Sequence, residues 1–161
     1  MGIIPVLSLL SALLAVSMTS DEPAMGIQAA CAPTRRRCDS GWTLLAGRCF
    51  RFFNSRRTWT LAEAYCVSQR GHLASIHNIN EARLVGRLSG NRNWAWIGGG
   101  GAMKGHTWYW SDGTPFDYTN WKEWEPNNHG GNEHCINTNF GGGGIWNDLP
   151  CNQARPFVCA K

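Results

Sequence analysis

Seven cysteines, Cys31, Cys38, Cys49, Cys66, Cys135, Cys151 and Cys159, constrain this 161-residue chain more than any other feature. In an exported protein such a set reads as a disulfide framework with one thiol left over. Zinc is the competing use of cysteine, but no close Cys-x-x-Cys or His-x-His pair is present. Export is indicated by the first residues. Ile3 to Val16 is almost wholly apolar, and no charged side chain precedes Asp21. A bilayer span needs roughly 20 apolar residues. The run is too short for that and matches the apolar core of a secretory leader. Pro5 within it disfavours a buried core helix. We therefore expect a signal peptide over residues 1–20, cleaved near 17–20. A polar, aperiodic, flexible lead-in is expected over 21–37, and a single folded domain over 38–161. No membrane insertion is expected.

The formal net charge of +4, with 16% charged residues, gives no reason to expect a nucleic-acid partner. Arg35-Arg36-Arg37 is the one basic cluster. Three residues read as a solvated run or as a contact for acidic glycans or lipid headgroups.

Short strands are expected at Gly41-Trp42 and from Arg48 to Phe53, joined by a turn at Ala46-Gly47, a hairpin that Cys38 and Cys49 could close. A helix follows from about Trp59 to Gln69. Thr60 and Glu63 have capping-box spacing and Thr58 is an equally good N-cap. Its apolar face is Leu61, Ala62, Tyr65 and Cys66, and Gly71 suits the left-handed cap. A second helix is expected from about Asn78 to Leu88, with Asn78 and Glu81 in the same capping spacing. It should bury Ala82, Val85 and Leu88. After Ser89, helical periodicity gives way to glycine and tryptophan. Trp94 to Gly98, Thr107 to Trp110, Gly144 to Asn147 and Pro156 to Cys159 read as strands. Gly113 to Asn132 is a long polar segment of the kind that is usually functional or disordered, and its Trp121 and Trp124 argue for order.

That segment holds Glu125-Pro126-Asn127-Asn128-His129 and Glu133-His134-Cys135, with Trp146-Asn147-Asp148 close behind. Glu125, Glu133 and Asp148 are carboxylates; Asn127 and Asn147 are amides. Calcium takes about six to eight oxygens from such groups, whereas softer metals call for His or Cys. Taken singly, each is equally readable as a solvated loop residue. A glycosidase would use two of the acids, but nothing separates a general acid from a base.

In order along the chain come Cys38 and Cys49, Tyr65-Cys66, Gly71-His72-Leu73-Ala74-Ser75-Ile76, Trp96-Ile97-Gly98 and Trp110-Ser111-Asp112-Gly113. Glu125-Pro126-Asn127, Cys135, Trp146-Asn147-Asp148, Cys151 and Phe157-Val158-Cys159 follow. The set resembles a C-type lectin-like domain of the long form, in the small secreted version that fish produce, over Cys38 to Lys161. The resemblance implies an α+β fold of two helices, small antiparallel sheets and a long calcium- and sugar-binding loop. It implies disulfides Cys38–Cys49, Cys66–Cys159 and Cys135–Cys151, which leaves Cys31 as a candidate for an interchain bridge in a homodimer. It also implies a cis bond before Pro126 and one Ca2+ held by Glu125, Asn127, Glu133, Asn147 and Asp148, the same residues meeting two sugar hydroxyls. In this family Glu-Pro-Asn goes with mannose-type glycans and Gln-Pro-Asp with galactose. Asn128 and His134 stand where an auxiliary calcium site has acids, so that site is expected to be weak or absent. His129 is expected at the surface or sugar edge. The expected function is calcium-dependent glycan binding without catalysis. Calcium-dependent ice binding and a venom-type protein-binding role are the alternatives.

Overall fold

The computed structural model describes residues 37–91, 93–101 and 107–161. The expected leader, most of the lead-in and Cys31 lie outside the described residues. Among the described residues, eight strands and two α-helices occur in the order β1 Thr43–Leu45, β2 Arg48–Arg57, α1 Trp59–Ser68, β3 His72–Leu73, α2 Ile79–Leu88, β4 Ala95–Gly101, β5 Trp108–Trp110, β6 Cys135–Thr138, β7 Trp146–Leu149 and β8 Arg155–Ala160. The strands join in the order β1-β2-β8-β4-β6-β7, with β3 on β8 and β5 on β4. Pairing is antiparallel except where Trp96 of β4 meets Phe157 of β8 in parallel. That contact joins β4 to β8, and the Gly98 N–H to Ala74 carbonyl bond at 2.9 Å and the Trp96 indole N–H to Arg57 carbonyl bond at 3.0 Å reinforce the junction.

The β1–β2 hairpin turns at Ala46 and Gly47, both with positive φ (47° and 84°). This is the primed-turn geometry that matches strand twist. β1 begins at Thr43, not at Gly41-Trp42, because the Trp42 N–H donates back to the Asp39 carbonyl at 3.0 Å and forms a turn. β2 pairs with the last strand, β8, where Phe50 faces Ala160.

Helix α1 is capped by Thr58, whose hydroxyl accepts the Leu61 N–H at 3.4 Å. Glu63 does not complete a capping box with Thr60. Its carboxylate takes the His72 ring at 2.6 Å, the Leu73 N–H at 2.8 Å and the Ser111 hydroxyl at 2.9 Å. α1 is apolar on several sides, so periodicity misplaces its buried face. Ala62 and Cys66 are buried, whereas Leu61 is 56% exposed. The left-handed residue after the helix is Arg70 (φ 63°), not Gly71. Gly71 is required by close approach, since a Cβ there would lie 2.3 Å from the Ala160 carbonyl oxygen.

Helix α2 is capped by Asn78, whose side-chain oxygen accepts the N–H groups of Asn80 and Glu81 at 3.0 Å each. Glu81 is buried and reaches the His77 N–H at 2.8 Å and the Arg48 guanidinium at 3.0 Å. Ala82, Leu84 and Val85 fill the core, with Leu88 packed against it.

All three expected disulfides are formed: Cys38–Cys49, Cys66–Cys159 and Cys135–Cys151. Cys66–Cys159 closes a separation of 93 residues between α1 and β8. In the chain-entropy picture a loop of that length contributes about 4–5 kcal/mol. Among the described residues, no helix is long and apolar enough to cross a membrane.

Candidate functional site

The long segment is fastened to β7 around one side chain. Trp146 is fully buried, with the rings of Trp110, Tyr118 and Trp121 set edge-on to it at 5.5, 5.8 and 5.6 Å. The Trp146 main-chain N–H donates to the Asn120 carbonyl at 2.8 Å and its main-chain carbonyl accepts the Lys122 N–H at 2.9 Å. Trp121 is thus an anchor, as expected. Trp124 is not: it is 86% exposed.

Asn147 and Asp148 follow Trp146 on β7 and are buried. β6 holds β7 beside it, with Asn137 opposite Asn147 and Ile136 opposite Asp148, and the Cys135–Cys151 bridge locks the pair. The Asn147 amide donates to Asn137 Oδ1 at 3.3 Å and to the Asp148 carbonyl oxygen. Asp148 reaches across to the loop. Its Oδ1 accepts the Asn127 N–H at 3.1 Å and its Oδ2 the Asn128 N–H at 2.9 Å.

The Glu125–Pro126 peptide bond is cis. Glu125 and Asn127 bond to one another: Glu125 Oε1 accepts the Asn127 side-chain amide at 3.1 Å, and Oε2 accepts its main-chain N–H at 3.2 Å. The chain then makes a single 3₁₀ turn, His129–Gly131. At its start the His129 main-chain N–H donates to both Asn127 Oδ1 and Glu133 Oε2, each at 2.8 Å. One N–H therefore gathers an amide oxygen and a carboxylate oxygen at a single point. Sequence reasoning weighed the His129 ring and missed this main-chain role, for which residue type gives no signal. Asn128 is left-handed (φ 45°), and its side-chain oxygen accepts the Glu133 N–H at 3.0 Å.

All five expected residues are brought together by these contacts. Among the described residues, none of the three carboxylates is ion-paired with a lysine or arginine. Burial and the adjacent Asp148 carboxylate push Glu125 up to about 7. Burial also raises Glu133, with the Asp148 charge adding to the rise and the His129 N–H offsetting part of it. Converging like charges without a counter-ion are what a bound cation relieves. Among the described residues, no three His, Cys, Asp or Glu side chains stand in metal-holding geometry. The carboxylates are turned toward internal N–H donors, and the remaining donors are amide and main-chain oxygens. This all-oxygen set fits calcium and lacks the nitrogen and sulfur ligands that zinc favours.

The Lectin C-type domain family model matches residues 55–161. The chain is 44% identical over 128 residues to the galactose-specific lectin nattectin of Thalassophryne nattereri, covering 77% of this chain and 80% of that one. It is 43% identical over 129 residues to ladderlectin of Oncorhynchus mykiss, covering 78% and 68% respectively. Among solved structures, a calcium-independent type II antifreeze protein superposes with a TM-score of 0.72 at 38% identity, covering 78% of this chain and 94% of that one. This chain belongs to the C-type lectin domain family, a non-enzymatic family of carbohydrate-binding domains that counts lectins and type II antifreeze proteins among its members.

Proposed function

We propose that the protein is an exported lectin that holds one calcium ion through Glu125, Asn127, Glu133, Asn147 and Asp148 and binds glycans at that ion. The observation that carries this reading is that shared N–H donors gather three carboxylates and two amides with no lysine or arginine paired to them among the described residues. Calcium would supply open coordination positions for two sugar hydroxyls. The protein supplies the rest. Glu125 and Glu133 offer acceptors to hydroxyl protons, and the Asn127 and Asn147 amides offer donors. Disulfides of this kind persist in oxidising compartments, which supports export with the leader removed.

Mannose-type sugars are the proposed class, on the acid-then-amide order of Glu125 and Asn127. Nattectin is a galactose-specific lectin, so the test must offer both. Retention on mannose and on galactose columns, each with calcium and with chelator, decides it. Retention on mannose that chelator abolishes supports the reading; retention on neither sugar removes it. Cys31 would join two such domains and raise avidity, and a non-reducing gel reads that directly.

A second reading, ice binding, is favoured by the 38% identity to an antifreeze structure. Thermal hysteresis measured on the same preparation, with and without calcium, distinguishes it.

A further inference from the structure

Away from the calcium loop, the start of β8 and the end of β2 place arginines against each other. Arg57 and Arg155 are directly opposed across the β2–β8 pair. Like charges at opposed positions of antiparallel strands are destabilising; the Arg57 guanidinium lies over the Tyr65 ring at 4.8 Å, whereas Arg155 turns to a cleft. Arg56 and Arg155 line that cleft, of about 320 Å³, together with Asn93, Trp94 and Pro156, and among the described residues no carboxylate lines it. Among the described residues, Arg56, Arg57 and Arg155 make no ion pair. The Nε atoms of Arg57 and Arg155 are buried and have no acceptor among the described residues. Arg155 donates only through Nη2, to Gln153 Oε1 at 2.7 Å. Burial, with the Arg56 charge adding to it, holds the Arg155 guanidinium below its ordinary value.

The wall of the cleft is aromatic. The Arg155 guanidinium lies over the Trp94 ring at 5.1 Å. A second cleft of about 270 Å³ shares Trp94 and is lined by Asn139, Gly141 and Gly142. Phe140 is edge-on to Trp94 at 4.8 Å, and Lys122 Nζ sits over the Phe140 ring at 4.4 Å. A cationic, aromatic track therefore runs from Arg56 and Arg155 past Trp94 toward Lys122.

We propose that the Trp94 cleft is a second, calcium-independent glycan site, taking an acidic sugar whose sulfate ester or carboxylate pairs with Arg56 and Arg155. The sulfate ester or carboxylate accepts the fork of a guanidinium, and the Trp94 ring beneath Arg155 holds that guanidinium in place to present it. The neighbouring cleft extends the site to more than one sugar. The proposal is independent of the calcium loop, and chelator separates the two.

The experiment uses the full chain in chelator, titrated with a short heparin fragment, a hyaluronan fragment of the same length, and inorganic sulfate. The variants are Arg56→Glu, the conservative Arg155→Lys, and Arg87→Glu at an exposed position of α2 as a control for net charge. A fourth variant replaces Arg35, Arg36 and Arg37 with serine. Binding of heparin that persists in chelator and falls roughly tenfold or more in both Arg56→Glu and Arg155→Lys, but not in Arg87→Glu, is the expected result. A preference for heparin over hyaluronan assigns a sulfate ester, and equal binding assigns the carboxylate; either outcome upholds the site. No binding in chelator, equal losses in Arg56→Glu and Arg87→Glu, or a loss confined to the Arg35–Arg37 variant overturns it.

Discussion

The buried carboxylate of Asp148 accepts the main-chain N–H of Asn127 at 3.1 Å, and so ties strand β7 to the loop that carries Glu125. Its other oxygen holds the next N–H, that of Asn128. Replacing Asp148 with Asn puts an amide nitrogen where one of those N–H donors needs an acceptor. A buried donor left unpaired costs about 1–3 kcal/mol. Asp148→Asn should therefore speed amide exchange at Asn127 and Asn128 and remove calcium binding, while α1, α2 and the three disulfides keep the far-ultraviolet spectrum unchanged. Unaltered exchange at both amides would show that this carboxylate does not organise the loop.

The raised Glu125 carboxyl sets a pH dependence for the metal-free protein. Its value lies near 7 in the folded state, against an ordinary 4.5. A carboxyl whose folded value exceeds its unfolded one binds a proton more readily when folded, so stability grows as pH falls through that window. The chelated protein should melt higher at about pH 5.5 than at about pH 7.5. Calcium favours the deprotonated ligand, so its affinity should weaken over the same descent, and its added stabilisation should be greatest above about pH 7. A chelated protein that melts higher at the upper pH would contradict the charge crowding described for the site.

Much of the frame was legible because local chemistry decided it. Asn78 and Glu81 mark the start of α2, and Ala46-Gly47 the hairpin turn, since both act within a few residues. β6 was not legible. Cys135-Ile136-Asn137-Thr138 is buried on both faces, so it shows no alternation to read. The run Gly98 to Gly101 is strand through its pairing with β5 and β6, and it is glycine because Leu73 and Ile136 press against it, leaving no room for a Cβ at Gly98 or Gly99. At the site, the oxygen-bearing side chains were legible by type. The N–H groups of Asn127, Asn128 and His129 that position them were not, because every residue but proline carries one.

Trp124 offers a stability test with an unusual sign. The Lys122 carbonyl accepts the Glu125 N–H at 3.0 Å, and Trp124, third in that turn, has φ 70°. This is the type II pattern, whose third residue is ordinarily glycine. The indole is exposed and the backbone is strained. Trp124→Gly relieves the strain and adds freedom to the unfolded chain, each worth about 1 kcal/mol and opposed in sign. The melting free energy should change by less than about 1 kcal/mol. Trp146→Ala, at a fully buried ring, should cost about 3–5 kcal/mol. A loss above about 2 kcal/mol for Trp124→Gly would mean that the indole packs against the fold.

Specificity should turn on the order of acid and amide in the loop. Glu125 now accepts from the Asn127 side-chain amide at 3.1 Å, and Asn127 Oδ1 in turn accepts the His129 N–H at 2.8 Å. In the double substitution Glu125→Gln with Asn127→Asp, one carboxylate and one amide remain. The pair can still bond to itself with donor and acceptor exchanged, and a carboxylate at 127 can still take the His129 N–H. The loop and calcium should therefore survive. What reverses is the side of the site that offers acceptors to a sugar and the side that offers donors. A hydroxyl pair that suits the native order then meets mismatched partners. Because Asn127 is exposed, water softens the mismatch, and the loss should be about 1–2 kcal/mol, roughly tenfold in mannose affinity. Galactose should gain relative to mannose. Asn147→Ala is the control: it removes an amide from the buried side and should abolish calcium and both sugars together. If the double variant kept calcium and its retention on both columns matched the native protein, Glu125 and Asn127 would not be meeting the sugar, and the assignment of the sugar site to this loop would fall.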